Sequence, residues 1–143
     1  MEEWGAASFE NDPARAWFLL VEEAVDPGAV IGSAVDDALG EADCLAVDGS
    51  CEAIAAAELS ASCAGNAPSR LPDRVRLWIE SHPHQPHDSE IDQAVQAVQR
   101  IRSESELRDY WDASAEGRWL REVDDLIVRL ERSGGGEPTT LSP

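Results

Sequence analysis

The 143-residue chain contains no lysine, so its 11 basic residues are all arginines, and they stand against 29 acidic residues. The formal net charge is −18. Phosphate backbones and anionic membrane surfaces repel a protein of this charge, so we expect neither a nucleic-acid nor a membrane partner. Three interpretations of the acidity remain open: solubility or adaptation to a salty cytoplasm, docking on a basic protein, and divalent-cation binding.

Long apolar runs and cysteine pairs are also missing. No run approaches the roughly 20 apolar residues that span a bilayer, and the opening Met-Glu-Glu-Trp lacks the basic segment and apolar core of a signal peptide. Cys44, Cys51 and Cys63 have no metal-type spacing. On one helix, Cys51 and Cys63 would lie about 18 Å apart, too far for a disulfide. We therefore expect a reduced, cytoplasmic protein.

Motifs of known catalytic chemistry are absent as well. The sequence has no Gly-x-Ser-x-Gly, no phosphate loop, no dinucleotide fingerprint and none of the Glu-x-x-His pairs of di-iron bundles. The three histidines, His82, His84 and His87, lie with Asp88 in a proline-rich segment, which favours a solvated loop over a metal clamp. We predict no catalytic residue, no metal ligand and no cofactor, so enzymatic activity is disfavoured.

The most informative stretch that is present runs from Ser50 to Ala64 and is rich in alanine, the best helix former. Its side chains are small on every face, so neighbouring helices can approach closely and we place it at the centre of a bundle. Ser50 or Asp48 is the predicted N-cap. Glu52 and Glu58 lie six residues apart, about 600° around the helix, so they point to different faces.

Hydrophobic periodicity predicts further helices on both sides of this segment, and no strand. Their predicted starting points are Asp12 before Pro13, Gly28, Asp73, Asp88 or Ser89, the segment before Leu107, and the segment before Trp119. The sequence thus predicts an all-α, irregular bundle of six to seven helices around a central Ala-rich helix. We assign residues 1–133 to one domain and residues 134–143 to a disordered tail.

Several short motifs resemble those of bacterial proteins grouped as domain of unknown function 4259. The residues that carry the resemblance are Trp4-Gly5, Phe9-Glu10-Asn11-Asp12, Cys51 to Glu58, Tyr110-Trp111 and Trp119-Leu120. The N-terminal motif is the specific one, and the chain departs from the pattern at Glu2-Glu3 and Ala7-Ser8. The family carries no established activity, so the resemblance implies an all-helical, bacterial, cytoplasmic protein.

The distribution of charge suggests a function. Residues 1–67 hold 14 acids and a single base, Arg15, whereas residues 68–143 hold 15 acids and 10 arginines. We therefore predict a non-enzymatic interaction module whose N-terminal half docks on a basic protein, as an inhibitor or immunity-type protein does. The alternative is a metal- or small-molecule-binding helical bundle. The oligomeric state is left open.

Six residues are candidates for binding: Trp4, Glu10, Asn11, Asp12, Glu52 and Glu58. Structural interpretations compete with this one. Asp12 is the expected cap of the first helix, and Glu52 is a first-turn acid that the helix dipole favours. A partly buried Glu58 would be held by an arginine or by a helix N-terminus.

Overall fold

The computed structural model describes residues 5–82, 85–114 and 117–133. These residues form seven α-helices: α1 (Asp12–Glu23), α2 (Pro27–Gly40), α3 (Val47–Cys63), α4 (Asp73–Ser81), α5 (Asp88–Ser103), α6 (Glu106–Ser114) and α7 (Arg118–Ser133). Within the described ranges no strand forms, and only an isolated bridge joins Leu45 to Ser105. The all-α prediction is confirmed. The predicted tail, residues 134–143, lies outside the described part of the chain.

Helix α3 is the centre of the bundle, as its small side chains predicted. It packs against all six other helices, and every residue from 53 to 62 is buried. Ala53, Ala56 and Ala57 are completely inaccessible to solvent. Because alanine adds little volume to the helix cylinder, neighbouring helices can pack around its whole circumference.

The start of α3 differs from the prediction. The helix begins at Val47 rather than at Ser50, and the residue before it, Ala46, makes no side-chain cap. Ser50 is already helical, since its N–H donates to the carbonyl of Ala46 at 3.0 Å, and its side chain is buried. The N–H of Glu106 bonds to the carbonyl of Leu45 at 2.8 Å. This tertiary contact fixes the entry to α3, so neither Ser50 nor Asp48 is the N-cap.

The start of α1 also differs by one residue. Asn11, in an extended conformation, is the N-cap, and its side-chain oxygen accepts a hydrogen bond from the N–H of Ala14 at 2.8 Å. Asp12 is therefore not the capping residue but the first residue of the helix. There its carboxylate lies near the positive end of the helix dipole and 3.5 Å from Arg15.

The histidine-containing segment between α4 and α5 is described in part. Helix α5 has His87 as its N-cap residue, with the His87 N–H donating to Glu90 at 2.7 Å, so the predicted caps Asp88 and Ser89 lie in its first turn instead. His82 is exposed, and its ring stacks on Trp78 with ring centroids 5.0 Å apart. His84 lies outside the described residues.

Aromatic side chains fill spaces between the helices. Trp17, Trp78, Trp111 and Trp119 are buried, whereas Trp4 lies outside the described residues. Phe18 of α1 meets Trp78 of α4 edge to face, with ring centroids 6.0 Å apart. These contacts join the shorter peripheral helices to the core that surrounds α3.

Candidate functional site

A buried ion pair joins the middle of the bundle to its last helix. Glu58 of α3 and Arg129 of α7 are both buried. The two terminal nitrogens of Arg129 donate to the two carboxylate oxygens of Glu58, at 2.5 and 3.1 Å. This two-point geometry fits the planar guanidinium to the planar carboxylate and gives a stronger interaction than a single contact.

Further hydrogen bonds tie this pair to three other positions. The hydroxyl of Ser8 donates to Glu58 at 2.9 Å. Arg129 also donates through Nε to Asp125 at 2.8 Å and through Nη1 to the carbonyl of Asn66 at 3.2 Å. The ion pair thus holds the N-terminal turn, α3, the loop after α3 and α7 together at one point.

The surroundings of Arg129 favour its charged form. Burial alone lowers the pKa of Arg129, but the hydrogen bonds and charges of Glu58 and then Asp125 outweigh it, so the pKa is raised above its ordinary value. Glu58 is the accepting partner in three hydrogen bonds. A carboxylate so fully engaged is poorly suited to accept a substrate proton, which favours a positioning role over general-base chemistry.

Glu10 organises the N-terminal turn next to this pair. Its carboxylate accepts a hydrogen bond from the N–H of Ala7 at 3.1 Å, and its carbonyl accepts one from the N–H of Gly5 at 3.0 Å. A side chain at Gly5 would come within 2.1 Å of the Glu10 carboxylate. Any other residue in place of Gly5 would therefore displace the Glu10 side chain, which folds back over that position.

Glu10 and Glu58 both line an open cleft of about 780 Å³ between the N-terminal turn, the loop after α3, and α7. Five arginines line it: Arg15, Arg70, Arg121, Arg129 and Arg132. The four carboxylates that line it are Glu10, Glu58, Glu122 and Asp125. The cleft therefore has a formal balance of +1 on a chain whose net charge is −18.

The other candidate residues do not converge on this cleft. Asn11 uses its side-chain oxygen to cap α1, and Asp12 is exposed beside Arg15. Glu52 is not among the residues that line the cleft. Trp4 lies outside the described residues. The structure thus brings together Glu10 and Glu58 and separates both from Glu52.

Glu52 belongs to a different environment, which we call the acidic face and define as Asp37, Asp48 and Glu52. Burial raises the pKa of Glu52, and the charges of Asp48 and then Asp37 raise it further. Asp37 and Asp48 are exposed, and Glu52 is partly exposed. Asp48 and Asp37 therefore lie close enough to Glu52 to disfavour its charged form.

The sequence analysis missed the arginines of the cleft. Arg129 carried a readable signal, because it lies three residues after Leu126 and one before Leu130, on the apolar stripe of α7. A charged residue on a buried face requires a buried partner, and Glu58 on the central helix is that partner. Arg70 and Arg132 gave no comparable signal. Both are exposed, and an exposed arginine requires no buried partner.

Two negative findings apply to the described ranges only. No group of three or more histidine, cysteine or acidic side chains there is placed to hold a metal ion. No helix in those ranges is both long enough and apolar enough to cross a bilayer.

The fold and the cleft define a small all-α bundle built on a buried Glu58–Arg129 pair. The chain belongs to the family described as a domain of unknown function (DUF4259), whose match covers residues 3–122. This match confirms the resemblance, and it includes Glu10 and Glu58 but ends before Arg129. No curated protein and no solved structure matches the chain.

Proposed function

We propose that this protein is a non-enzymatic interaction module whose acidic face docks on a basic protein partner, as an inhibitor or immunity-type protein does. The observation that supports this proposal is an accumulation of negative charge without compensation. Asp37, Asp48 and Glu52 form no ion pair with any described residue. A basic partner would relieve their mutual repulsion and would be steered toward them over long distances.

Arg100 and Arg15 are both engaged away from the acidic face. Arg100 of α5 reaches the end of α2, but it donates to the carbonyls of Ala38 at 2.8 Å and Asp43 at 3.1 Å. Its carboxylate contact is Glu104, at 3.9 Å. Arg15, the single base of residues 1–67, lies next to Asp12 and lines the cleft. The acidic face therefore keeps its charge available for a partner.

The test compares two variants that lose the same charge. The first, Asp37→Asn/Asp48→Asn/Glu52→Gln, neutralises the acidic face. The control, Glu106→Gln/Asp109→Asn/Glu131→Gln, removes three exposed carboxylates from α6 and α7. Each immobilised protein is incubated at low salt with lysate of the source cells, and the retained proteins are identified by mass spectrometry.

The proposal expects one basic protein to be retained by the wild type and the control but not by the face variant. With that protein purified, its association rate constant should fall as salt is added, because screening removes the steering. Equal retention by all three proteins, or retention of no basic protein, overturns the proposal.

The alternative, a bundle that binds a metal ion or a small molecule through Glu10, Asn11, Glu52 and Glu58, is supported only in part. Asn11 is used as a cap, and Glu52 lies in the acidic face rather than in the cleft. Glu10 and Glu58 remain together, at a cleft where five arginines outnumber four carboxylates. This arrangement favours a small-molecule site over a cation site.

A further inference from the structure

We propose that the cleft beside Glu58 binds a small organic anion, whose oxyanion group contacts the arginines and whose apolar part lies in the adjoining groove between α1 and α4. The proposal is independent of the acidic face, since none of its three residues lines the cleft or the groove. It therefore adds a second site to the proposed interaction module.

The concentration of arginines supports the oxyanion group. Five of the 11 arginines line this one cleft. Arg129, at the floor of the cleft, already donates hydrogen bonds to Glu58 and Asp125. Arg70 and Arg132 are exposed and form no ion pair with any residue that the structure describes. Their guanidinium groups are available for a ligand, and this group favours the planar or tetrahedral oxygens of carboxylate and phosphate.

The groove next to the cleft supports the apolar part of the ligand. It has a volume of about 330 Å³ and runs between α1 and α4. Phe9, Arg15 and Pro72 line both spaces, so the groove adjoins the cleft. Leu19, which also lines the groove, is 44% exposed although it is a large apolar side chain. A ligand that lies across both spaces would cover this surface.

Size and charge favour a small molecule over an acidic protein. Ligand pockets have typical volumes of about 300–1,000 Å³, and both spaces fall within that range. An acidic protein would bring a second large negative charge toward a chain with a net charge of −18, which opposes its approach. A small anion with one or two charges experiences much less repulsion.

The experiment measures the binding of three simple probes to the full chain by isothermal titration calorimetry. Phenyl phosphate and benzoate each join an oxyanion to an apolar ring, whereas inorganic phosphate has no apolar part. We expect at least one ring-bearing probe to bind the wild type, and inorganic phosphate to bind more weakly than phenyl phosphate. The ratio of phenyl phosphate to benzoate affinity then assigns the ligand class as phosphate or carboxylate.

Matched variants distinguish binding in the cleft from a general effect of removing positive charge. Arg70→Gln/Arg132→Gln removes two cleft arginines, and Arg76→Gln/Arg102→Gln removes two arginines that line neither space. The first pair should weaken probe binding at least about tenfold, the loss expected for charge-assisted hydrogen bonds. The control pair should leave the affinity within about twofold.

A third variant tests the groove. Ala16 is exposed on α1 and lines the groove, so Ala16→Glu adds a carboxylate there without removing a core contact. It should weaken phenyl phosphate more than inorganic phosphate. Circular dichroism checks that each variant is folded. The proposal is overturned if no probe binds the folded wild type, or if the two double arginine variants bind equally well.

Discussion

Glu52 and Glu58 lie six residues apart on α3, yet they occupy opposite electrostatic environments. Glu52 is partly exposed, and its pKa is raised by burial and by two neighbouring aspartates. Glu58 is buried deeper but is held by both terminal nitrogens of Arg129 and by the hydroxyl of Ser8. The more buried carboxylate is thus the better compensated of the two.

Glu52 and Glu58 show that the balance of charge differs from one part of this protein to another. The net charge of −18 is not spread evenly, because the arginines gather at the cleft while the acidic face has none as a partner. The pKa values of the two cysteines of α3 reflect the same difference, since only Cys51 lies near acidic side chains. Burial, followed by Asp48 and Glu52, raises the pKa of Cys51 to about 12, whereas burial alone raises that of Cys63 to about 11.

The largest expected effect comes from breaking the buried ion pair between Glu58 and Arg129. Glu58→Gln removes the charge that faces the buried Arg129 and one of the two acceptor oxygens, while Asp125 and the carbonyl of Asn66 stay as partners. We expect the free energy of unfolding to fall by about 3 kcal/mol, the low end of the range for a broken buried pair, because those two partners remain. Urea denaturation followed by circular dichroism measures the change.

An exposed ion pair is the control for that variant. Arg102 and Asp124 are bonded at 2.6 Å with both side chains substantially exposed, so Arg102→Gln should cost less than about 1 kcal/mol. Glu58→Leu/Arg129→Met replaces the buried pair with apolar side chains and should recover much of the loss. A loss for Glu58→Gln no larger than for Arg102→Gln would show that the buried pair is not a structural anchor.

Substitutions on α3 between Glu52 and Glu58 are expected to have a smaller effect on stability. Ala56 and Ala57 point about 100° apart, and both are fully buried. Ala56→Leu and Ala57→Leu should each overpack the bundle and lower the free energy of unfolding by about 1–3 kcal/mol. Ala29→Leu, at an exposed position of α2, should be almost neutral because both residues are good helix formers. If Ala56→Leu and Ala57→Leu are also neutral, α3 is not enclosed on both sides.

The smallest expected effect concerns Glu52 of the acidic face. It is a change in how the stability of the protein depends on pH. Because the pKa of Glu52 is raised in the folded state above its ordinary value of 4.5, the folded state binds this proton more tightly than the unfolded state does. That contribution to stability is present at low pH and is lost as the pH rises through the folded pKa. Glu52→Gln should therefore gain melting temperature relative to the wild type as the pH rises above about 4.5, the ordinary pKa of this group.

Glu106→Gln removes the same charge away from the acidic face and serves as the control for this comparison. Its melting curve should stay closer to that of the wild type across the same pH range, because Glu106 is exposed on α6. If Glu52→Gln follows the wild type at every pH, the acidic face is not repulsive in solution, and the observation behind the proposed function is lost.

Much of the fold was predictable because it depends on local patterns. The apolar stripe of α7, the Asp-Pro start near α1 and the small side chains of α3 are local signals of this kind, and such signals predicted a bundle of six to seven helices with α3 at its centre. The helix starts were less accurate. Asn11 rather than Asp12 caps α1, and α3 begins at Val47 rather than at Ser50.

The candidate site was only half predictable. Glu10 and Glu58 were identified as candidates and line the cleft, but Glu52 was grouped with them and belongs to the acidic face. Composition and spacing give the number and order of charges along the chain. They do not give the distance between Glu58 and Arg129, which are 71 residues apart.

The helical class, the central position of the alanine-rich helix and the large negative charge all follow from the order and kind of the residues, because propensity, periodicity and composition are local or additive properties. Which acids are compensated depends on how the helices pack. A charge's energy depends on burial and on partners within a few ångströms, and packing brings Arg129 to Glu58 while leaving Glu52 beside Asp37 and Asp48.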